Sequence, residues 1–290
     1  MKNPVILLIG AMAFCLTRVN ATTTLQDGLV GFYLFDGDSK DSASASNDLS
    51  VYGATSSEGR RSTSNPGDGS YSFNGTSYLS SANNVGISGN SDRTFSLWIK
   101  VSTGQNFGNT SGGQLLGFGS TGITPSGGTH TTGTLFSLSY IGPNNASMAN
   151  HDINFQMNGS FIGKNFLERP LFGLDQWQHV VLTYDGSVGA SELYLNGNLT
   201  FNSELFGSSN PLAGLNTTDS PLFLGAGFGS SETWLNGFQG MIDDVRIYNR
   251  ALTGSEVGSL YALEVPEPSA SSLFVIGLGG LISLKRRKQA

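Results

Sequence analysis

The chain has 290 residues, 40 of them glycine and only 12% of them charged, which excludes helix bundles and suits one large or two small all-β domains of many strands and tight turns. Its formal charge of −6 hides a segregation: residues 22–264 carry twenty Asp and Glu against nine Lys and Arg, a balance of −11, with the other basic residues at the two ends. An acidic body excludes nucleic acid as a partner, because phosphate contacts need Lys and Arg, but it is compatible with neutral sugars and divalent cations.

Residues 1–21 read as a secretory signal, with Lys2, an apolar run over 5–16, and small residues Val19 and Ala21 at positions −3 and −1 for cleavage after Ala21. Phe14 argues against lipoprotein processing at Cys15, since a small residue is needed there. Cys15 is the only cysteine, so the exported body has no disulfide and stands on its core.

The body opens with GLVGFYLF at 28–35, a strand, followed by the acidic turn Asp36-Gly37-Asp38-Ser39-Lys40-Asp41. Residues 48–53 and 71–73 read as short strands around a Pro-, Gly- and Ser-containing loop at 60–69. The segment 73–79 reads as a hairpin turning at Asn74-Gly75. TFSLWIKV at 94–101 alternates, with Phe95, Leu97, Ile99 and Val101 on one face and Ser96, Trp98 and Lys100 on the other. A glycine-rich stretch at 103–132 contains one short apolar piece, Leu115-Leu116-Gly117-Phe118. Strands follow at 134–141, 152–157, 176–185 and 221–225, with hairpin signals at Asn158-Gly159 and Asn196-Gly197 and a loop at 230–236 carrying Trp234.

FQGMIDDVRIYNRAL at 238–252 organises the rest. Ile242, Val245, Ile247 and Tyr248 give it strand composition. The alternation slips at the adjacent Asp243 and Asp244, which opens an inward position to one of them, and a carboxylate there costs several kcal/mol unless paired or bound to a metal. Thr253-x-x-Glu256 then reads as a capping box opening a short segment at 253–260. Beyond it, Val265-Pro266-Glu267-Pro268 is an extended break, residues 269–284 form an apolar transmembrane segment, and Lys285-Arg286-Arg287-Lys288 closes the chain's basic end. The apolar run is a little short for a bilayer core of about 30 Å, though flanking cations snorkel, and the basic cluster stays cytoplasmic.

The 240–252 segment resembles the closing strand of LamG-like domains, the concanavalin A-like jelly rolls, in Gly240, Ile242, Asp243, Asp244, Val245, Arg246, Ile247, Tyr248, Asn249, Arg250, Ala251 and Leu252. The resemblance extends to the opening strand with Gly28, Leu29, Val30, Tyr33, Phe35, Asp36 and Gly37, to Ser72-Phe73-Asn74-Gly75, to Ser96, Trp98, Ile99 and Lys100, and to Trp177-x-His179-Val180 with Thr183-Tyr184-Asp185. It spans residues 25–263 and implies an all-β, concanavalin A-like jelly-roll sandwich of two antiparallel sheets, flanked by an N-terminal signal helix and a C-terminal transmembrane helix. Residues 265–289 resemble a PEP-CTERM sorting signal. That resemblance implies recognition by an exosortase, cleavage near Pro266-Glu267-Pro268, transient residence in the inner membrane and then the surface or extracellular matrix of a Gram-negative bacterium. A plain C-terminal membrane anchor is the alternative.

Hard cations need clustered oxygens, and Asp36, Asp38, Asp41, Asn47 and Asp48 crowd one loop. In a jelly roll the first and last strands can be neighbours, which brings Asp243 or Asp244 towards that loop. Asp36, Asp38 and Asp244 are the candidate ligands of a structural Ca2+; the competing reading is a solvated turn, with Asp243 or Asp244 paired to Arg246 or Arg250. His130, His151 and His179 lack metal-ligand spacing, and His179 reads as structural. Neither HExxH, nor GxSxG, nor the Glu-x-Asp-x-x-Glu of concanavalin A-like glycoside hydrolases is present, so an enzyme is not expected. Trp234 and Tyr140 are the candidates for stacking on sugar rings, while Trp98 and Trp177 read as core. The sequence therefore points to an exported non-catalytic surface or matrix protein that binds polysaccharide. Its alternatives are a structural or adhesive protein with a protein partner and, third, a glycoside hydrolase.

Overall fold

The structure, a computed structural model, describes residues 25–44, 47–102, 113–119, 135–141, 152–157, 160–162, 174–202, 215–225 and 237–265. The signal segment, Trp234, Pro266-Glu267-Pro268 and the apolar segment 269–284 lie outside them.

The alternating segments form two antiparallel sheets. The first contains β1 (Leu29–Tyr33), β3 (Thr55–Glu58), β4 (Gly69–Asn74), β6 (Arg93–Val101), β11 (Trp177–Asp185), β12 (Ala190–Leu195), β13 (Asn198–Asn202) and β15 (Gln239–Tyr248). Its order is β13-β12-β11-β6-β15-β4-β3, with β1 paired to the second half of β15. The other contains β2 (Leu49–Tyr52), β5 (Tyr78–Asn84), β7 (Gly113–Gly119), β8 (Leu135–Ile141), β9 (Asp152–Met157), β10 (Ser160–Ile162) and β14 (Pro221–Leu224), in the order β10-β9-β8-β7-β14-β5-β2. The protein is an all-β jelly-roll sandwich with one short helix, α1 (Gly254–Glu264), among the described residues.

The inward face of β6 is the one its alternation predicts: Phe95, Leu97, Ile99 and Val101 are all buried in the inter-sheet core. Phe95 meets Phe136 of β8 edge-on at 4.9 Å and Phe118 of β7 at 5.6 Å, arrangements that suit the aromatic quadrupole. Each such buried side chain stabilises the sandwich by roughly 1.5–3 kcal/mol relative to exposure.

The hairpin expected at 73–79 does not form. β4 belongs to the first sheet and β5 to the second, so the Asn74-Gly75 turn is a corner that carries the chain from one sheet to the other. Asn74 Oδ1 accepts from the amides of Thr76 and Ser77, Gly75 adopts a φ of 92°, and its N–H donates to the Phe238 carbonyl. These bonds satisfy a tight turn without cross-strand pairing. The Asn196-Gly197 turn, by contrast, joins β12 and β13 as a true hairpin, with φ values of 51° and 75°, as a two-residue primed turn requires.

α1 covers the outer face of the first sheet. Thr253 and Glu256 form the capping box read from their spacing, and the helix buries Val257, Leu260 and Glu264. With Leu252, the first two pack on Val181, Tyr194 and Tyr248 in a second, smaller core.

Candidate functional site

The slip at Asp243 and Asp244 is a β-bulge. Between Asp243 opposite Trp98 and Arg246 opposite Ser96, β15 advances three residues while β6 advances two. Asp244 takes a left-handed φ of 45°, which an aspartate tolerates better than a branched residue. β15 also changes partner here, from β4 up to Ile242 to β1 from Val245 onward. Neither carboxylate enters the inter-sheet core. Asp243 shares the outer face of Trp98, and the 59–69 loop closes over both acids.

Arg60 is the centre of that closure. Its backbone N–H donates to Asp243 Oδ2 at 3.1 Å, its Nε and Nη2 donate to Asp244 Oδ2 at 3.1 and 2.6 Å, and its guanidinium lies 4.4 Å over the Trp98 ring. Arg61 adds a second cation 3.4 Å from Asp244 and binds Asp68 at 2.6 Å. Glu264, the last residue of α1, accepts from Trp98 Nε1 and pairs with Arg246, while its carbonyl accepts from Arg60. Burial and the Asp244 carboxylate push the Asp243 carboxyl up to about 8. Burial, with the Arg246 and Arg60 guanidiniums, pushes His179 down to about 3. A neutral imidazole makes no ion pair with Glu264 at 3.5 Å, and His179 Nε2 instead bonds Ser96 Oγ at 2.8 Å. His179 is therefore part of the fold.

The expected adjacency of first and last strands is present in β1 and β15, but the Asp36–Asp244 pair does not fit a cation. The two arginines take the charge of Asp244 and would repel a metal there. The partners of Asp244 are Arg60 and Arg61 rather than the expected Arg246 or Arg250. Arg250 pairs with Glu256 at 2.8 Å. Asp36 accepts the Gly69 N–H at 2.9 Å; a side chain at Gly69 would put its Cβ 2.2 Å from the Phe35 carbonyl oxygen, so only glycine allows this approach. Asp38 accepts the Lys40 N–H at 3.1 Å, and Asp41, buried, accepts from Phe32, Ala43 and Ser44. The loop acids thus cap backbone amides. Among the described residues no group of three or more His, Cys, Asp or Glu is arranged to hold a metal.

Of the aromatic candidates, Tyr140 is 1% exposed and packs edge-on against Phe238. It lies in the core and presents no face to a sugar, because it continues the inward face of Phe136 and Leu138 on β8. Trp98 is buried, but between sheet and helix, stacked on His179 and Tyr261 at 5.1 and 5.8 Å. Trp177 is half-buried. Sequence reasoning missed a stacked pair, the exposed Tyr52 on β2 and the half-buried Tyr78 on β5, whose rings lie 4.5 Å apart at 13°. Its signal was Tyr52 at a strand end, next to Gly53.

A profile described as the concanavalin A-like lectin/glucanases superfamily matches residues 73–258. The chain belongs to the concanavalin A-like lectin/glucanases superfamily. Among solved structures, this concanavalin A-like chain is similar to domain 4 of AbnA, a GH43 extracellular arabinanase from Geobacillus stearothermophilus, in complex with arabinotriose. The identity is 21% and the TM-score 0.53, over 80% of this chain and 98% of that one. It is also similar to the binding domain of Paraclostridial Mosquitocidal Protein 1, at 20% identity and a TM-score of 0.52, over 82% and 52% of the two chains. A third similar structure is the botulinum neurotoxin serotype D ligand-binding domain in complex with N-acetylneuraminic acid, at 13% identity and a TM-score of 0.53, over 84% and 53%. At these identities the likeness is one of fold, and the chain spans about half of the toxin binding domains it matches. A search of curated proteins gives no match. Within this concanavalin A-like body, the bulge of β15, the 59–69 loop and Glu264 form one buried ionic lock.

Proposed function

We propose that the chain is an exported, non-catalytic binding protein for polysaccharide. The observation that carries this reading is how the buried acids are used. Asp41 holds backbone amides, Asp68 and Asp244 hold arginines, Asp243 accepts the Arg60 amide, and Glu264 joins Trp98 and Arg246. Glycoside hydrolysis needs two carboxyl groups facing a sugar across a cleft, and these acids face the protein's own loop and helix. The superfamily's name covers lectins and glucanases alike, and two of the similar structures hold a sugar; both facts support a carbohydrate ligand, whether bound or cleaved. In the same reading, residues 1–21 direct export, residues 269–284 hold the chain in the inner membrane, and an exosortase acts at Pro266-Glu267-Pro268 before the body reaches the surface or matrix. No described helix is long and apolar enough to cross a membrane, and these end segments lie outside the described residues.

The test is affinity electrophoresis of the full-length chain, purified in detergent, through gels containing arabinan, xylan or a mixed-linkage glucan, with calcium and with EDTA. Retarded migration in at least one gel is expected, and Trp234→Ala should weaken it without lowering the melting temperature. Calcium dependence would direct attention to Asp36 and Asp38. Absence of retardation in every gel, from folded protein, would favour the adhesive protein with a protein partner. Release of reducing ends would establish the hydrolase.

A further inference from the structure

The free edge of the second sheet ends on an aromatic plane. β2 is the last strand of its sheet, beyond β5, and Tyr52 lies directly opposite Tyr78 in the ladder. Their 4.5 Å ring separation and 13° interplanar angle nearly reproduce the 4.7–4.9 Å spacing of adjacent strands. The stacking axis therefore runs across the strands, within the sheet's hydrogen-bonding direction. One face of the Tyr52 ring is covered by Tyr78. The other points off the edge, where no further strand follows among the described residues. Tyr52 is 48% exposed, and its neighbour Val51 is 40% exposed. The cross-strand stack fixes the ring before any ligand arrives, which lowers the ordering cost of binding.

Polar groups continue along the same edge. Ser50 is exposed, opposite Ser80 of β5. At Leu49 the acidic loop is stitched to the strand: the Leu49 N–H donates to the Ser39 carbonyl at 2.9 Å, and Ser39 Oγ donates to the Leu49 carbonyl at 2.6 Å. The exposed Asp38 and Lys40 flank Ser39. Leu49 is three residues, or about 10 Å, along the strand from Tyr52. An open aromatic face followed by hydroxyl, carboxylate and ammonium groups matches a sugar ring, whose C–H face is apolar and whose rim carries hydroxyls. The acidic balance of the body disfavours an anionic polymer.

We infer that the β2 edge is a saccharide subsite, where a neutral polysaccharide lays one sugar ring on Tyr52 and bonds neighbouring hydroxyls to Ser50 and the Asp38–Lys40 turn. The inference rests on the polysaccharide-binding reading and gives it a place on the β2 edge. A second copy of the chain pairing along the same edge is the competing occupant.

The experiment repeats the affinity gels in arabinan, xylan and mixed-linkage glucan with full-length wild type, Tyr52→Ala, Tyr52→Phe and Asp38→Asn, alongside gel filtration and thermal melts. In whichever gel retards the wild type, Tyr52→Ala should weaken affinity roughly three- to tenfold. Tyr52→Phe, which keeps the ring, should stay near wild type, and Asp38→Asn should weaken binding measurably. Melting temperatures of Tyr52→Phe and Asp38→Asn should stay at the wild-type value and that of Tyr52→Ala should fall by only a few degrees, since the half-exposed Tyr52 gives up no more than its stack on Tyr78. Wild-type binding that Tyr52→Ala leaves intact would overturn the subsite and leave the polysaccharide reading standing. No wild-type binding in any gel would overturn both. A wild-type dimer that Tyr52→Ala converts to monomer, with glycan affinity unchanged, would assign the edge to self-association and overturn the subsite.

Discussion

Asp243 and His179 set opposite pH dependences from within one buried cluster. The Asp243 carboxyl titrates at about 8 in the folded protein against 3.8 ordinarily, so between those values the folded state binds more protons than the unfolded state. Stability therefore falls as pH rises through that window. His179 titrates at about 3 when folded against 6.5 ordinarily. There the unfolded state binds more protons, and stability rises with pH. The slopes oppose each other between about pH 4 and 6.5. From about 6.5 to 8 Asp243 acts without that opposition, and stability falls as pH rises. For a domain of this size the melting temperature should fall by a few degrees. Asp243→Asn supplies a neutral group of the same shape that still accepts the Arg60 amide, and it should flatten the fall. Calorimetric scans at pH 6.5 and 8.5 decide the matter: a wild type with equal melting temperatures at both would mean that Asp243 ionises normally in the fold.

α1 is held by a cap, a surface ion pair and an apolar stripe, and these differ in strength. Thr253 Oγ1 accepts the Glu256 N–H at 3.3 Å, while Arg250 binds Glu256 at 2.8 and 3.0 Å in a partly exposed pair. Replacing a cap residue costs about 1 kcal/mol. Leu260 is buried against the outer face of the first sheet, and Leu260→Ala should cost about 2–4 kcal/mol. Urea midpoints at constant slope will rank the two, and a Thr253→Ala cost equal to that of Leu260→Ala would show α1 to be capped but loosely packed. The cap was legible because two side chains at fixed spacing define it. The helix's end was not, because Glu264 is a poor residue at a helix C-terminus, where the dipole disfavours negative charge. Trp98 and Arg246, distant in sequence, compensate for it. The Asn74-Gly75 turn shows the same limit, since a turn signal fixes the local backbone and not the sheet that receives the next strand. β3, with sequence TSSE, carries no apolar alternation because it is an edge strand with mostly exposed side chains. Tyr140 was legible after all: its parity with Phe136 and Leu138 places it inward.

The chain closes on itself, and this governs how it must unfold. β1 pairs with β15, more than two hundred residues later, through Tyr33 opposite Val245 and Leu29 opposite Tyr248. Arg60 ties the 59–69 loop to the β15 bulge and to the end of α1, so the first and last segments complete a single structure. The inter-sheet corner at 74–77 passes the same constraint to the second sheet, where β5 sits between β14 and β2. With no disulfide available to the body, whose only cysteine lies at position 15, no covalent link holds a partly opened form together. Loss of the β1–β15 closure uncovers the second half of β15, and with it Val245 and Ile247 of the inter-sheet core. Thermal unfolding should therefore be a single transition, with tryptophan fluorescence, read in a Trp177→Phe, Trp234→Phe background so that it reports Trp98 beneath α1, coinciding with far-ultraviolet dichroism, which reports the sheets. Refolding should take milliseconds to seconds or longer, since the decisive pairing is among the most distant in sequence. A fluorescence change that precedes the loss of dichroism would show that α1 and the Arg60 lock open as a separate unit, with the sandwich stable without its C-terminal cover.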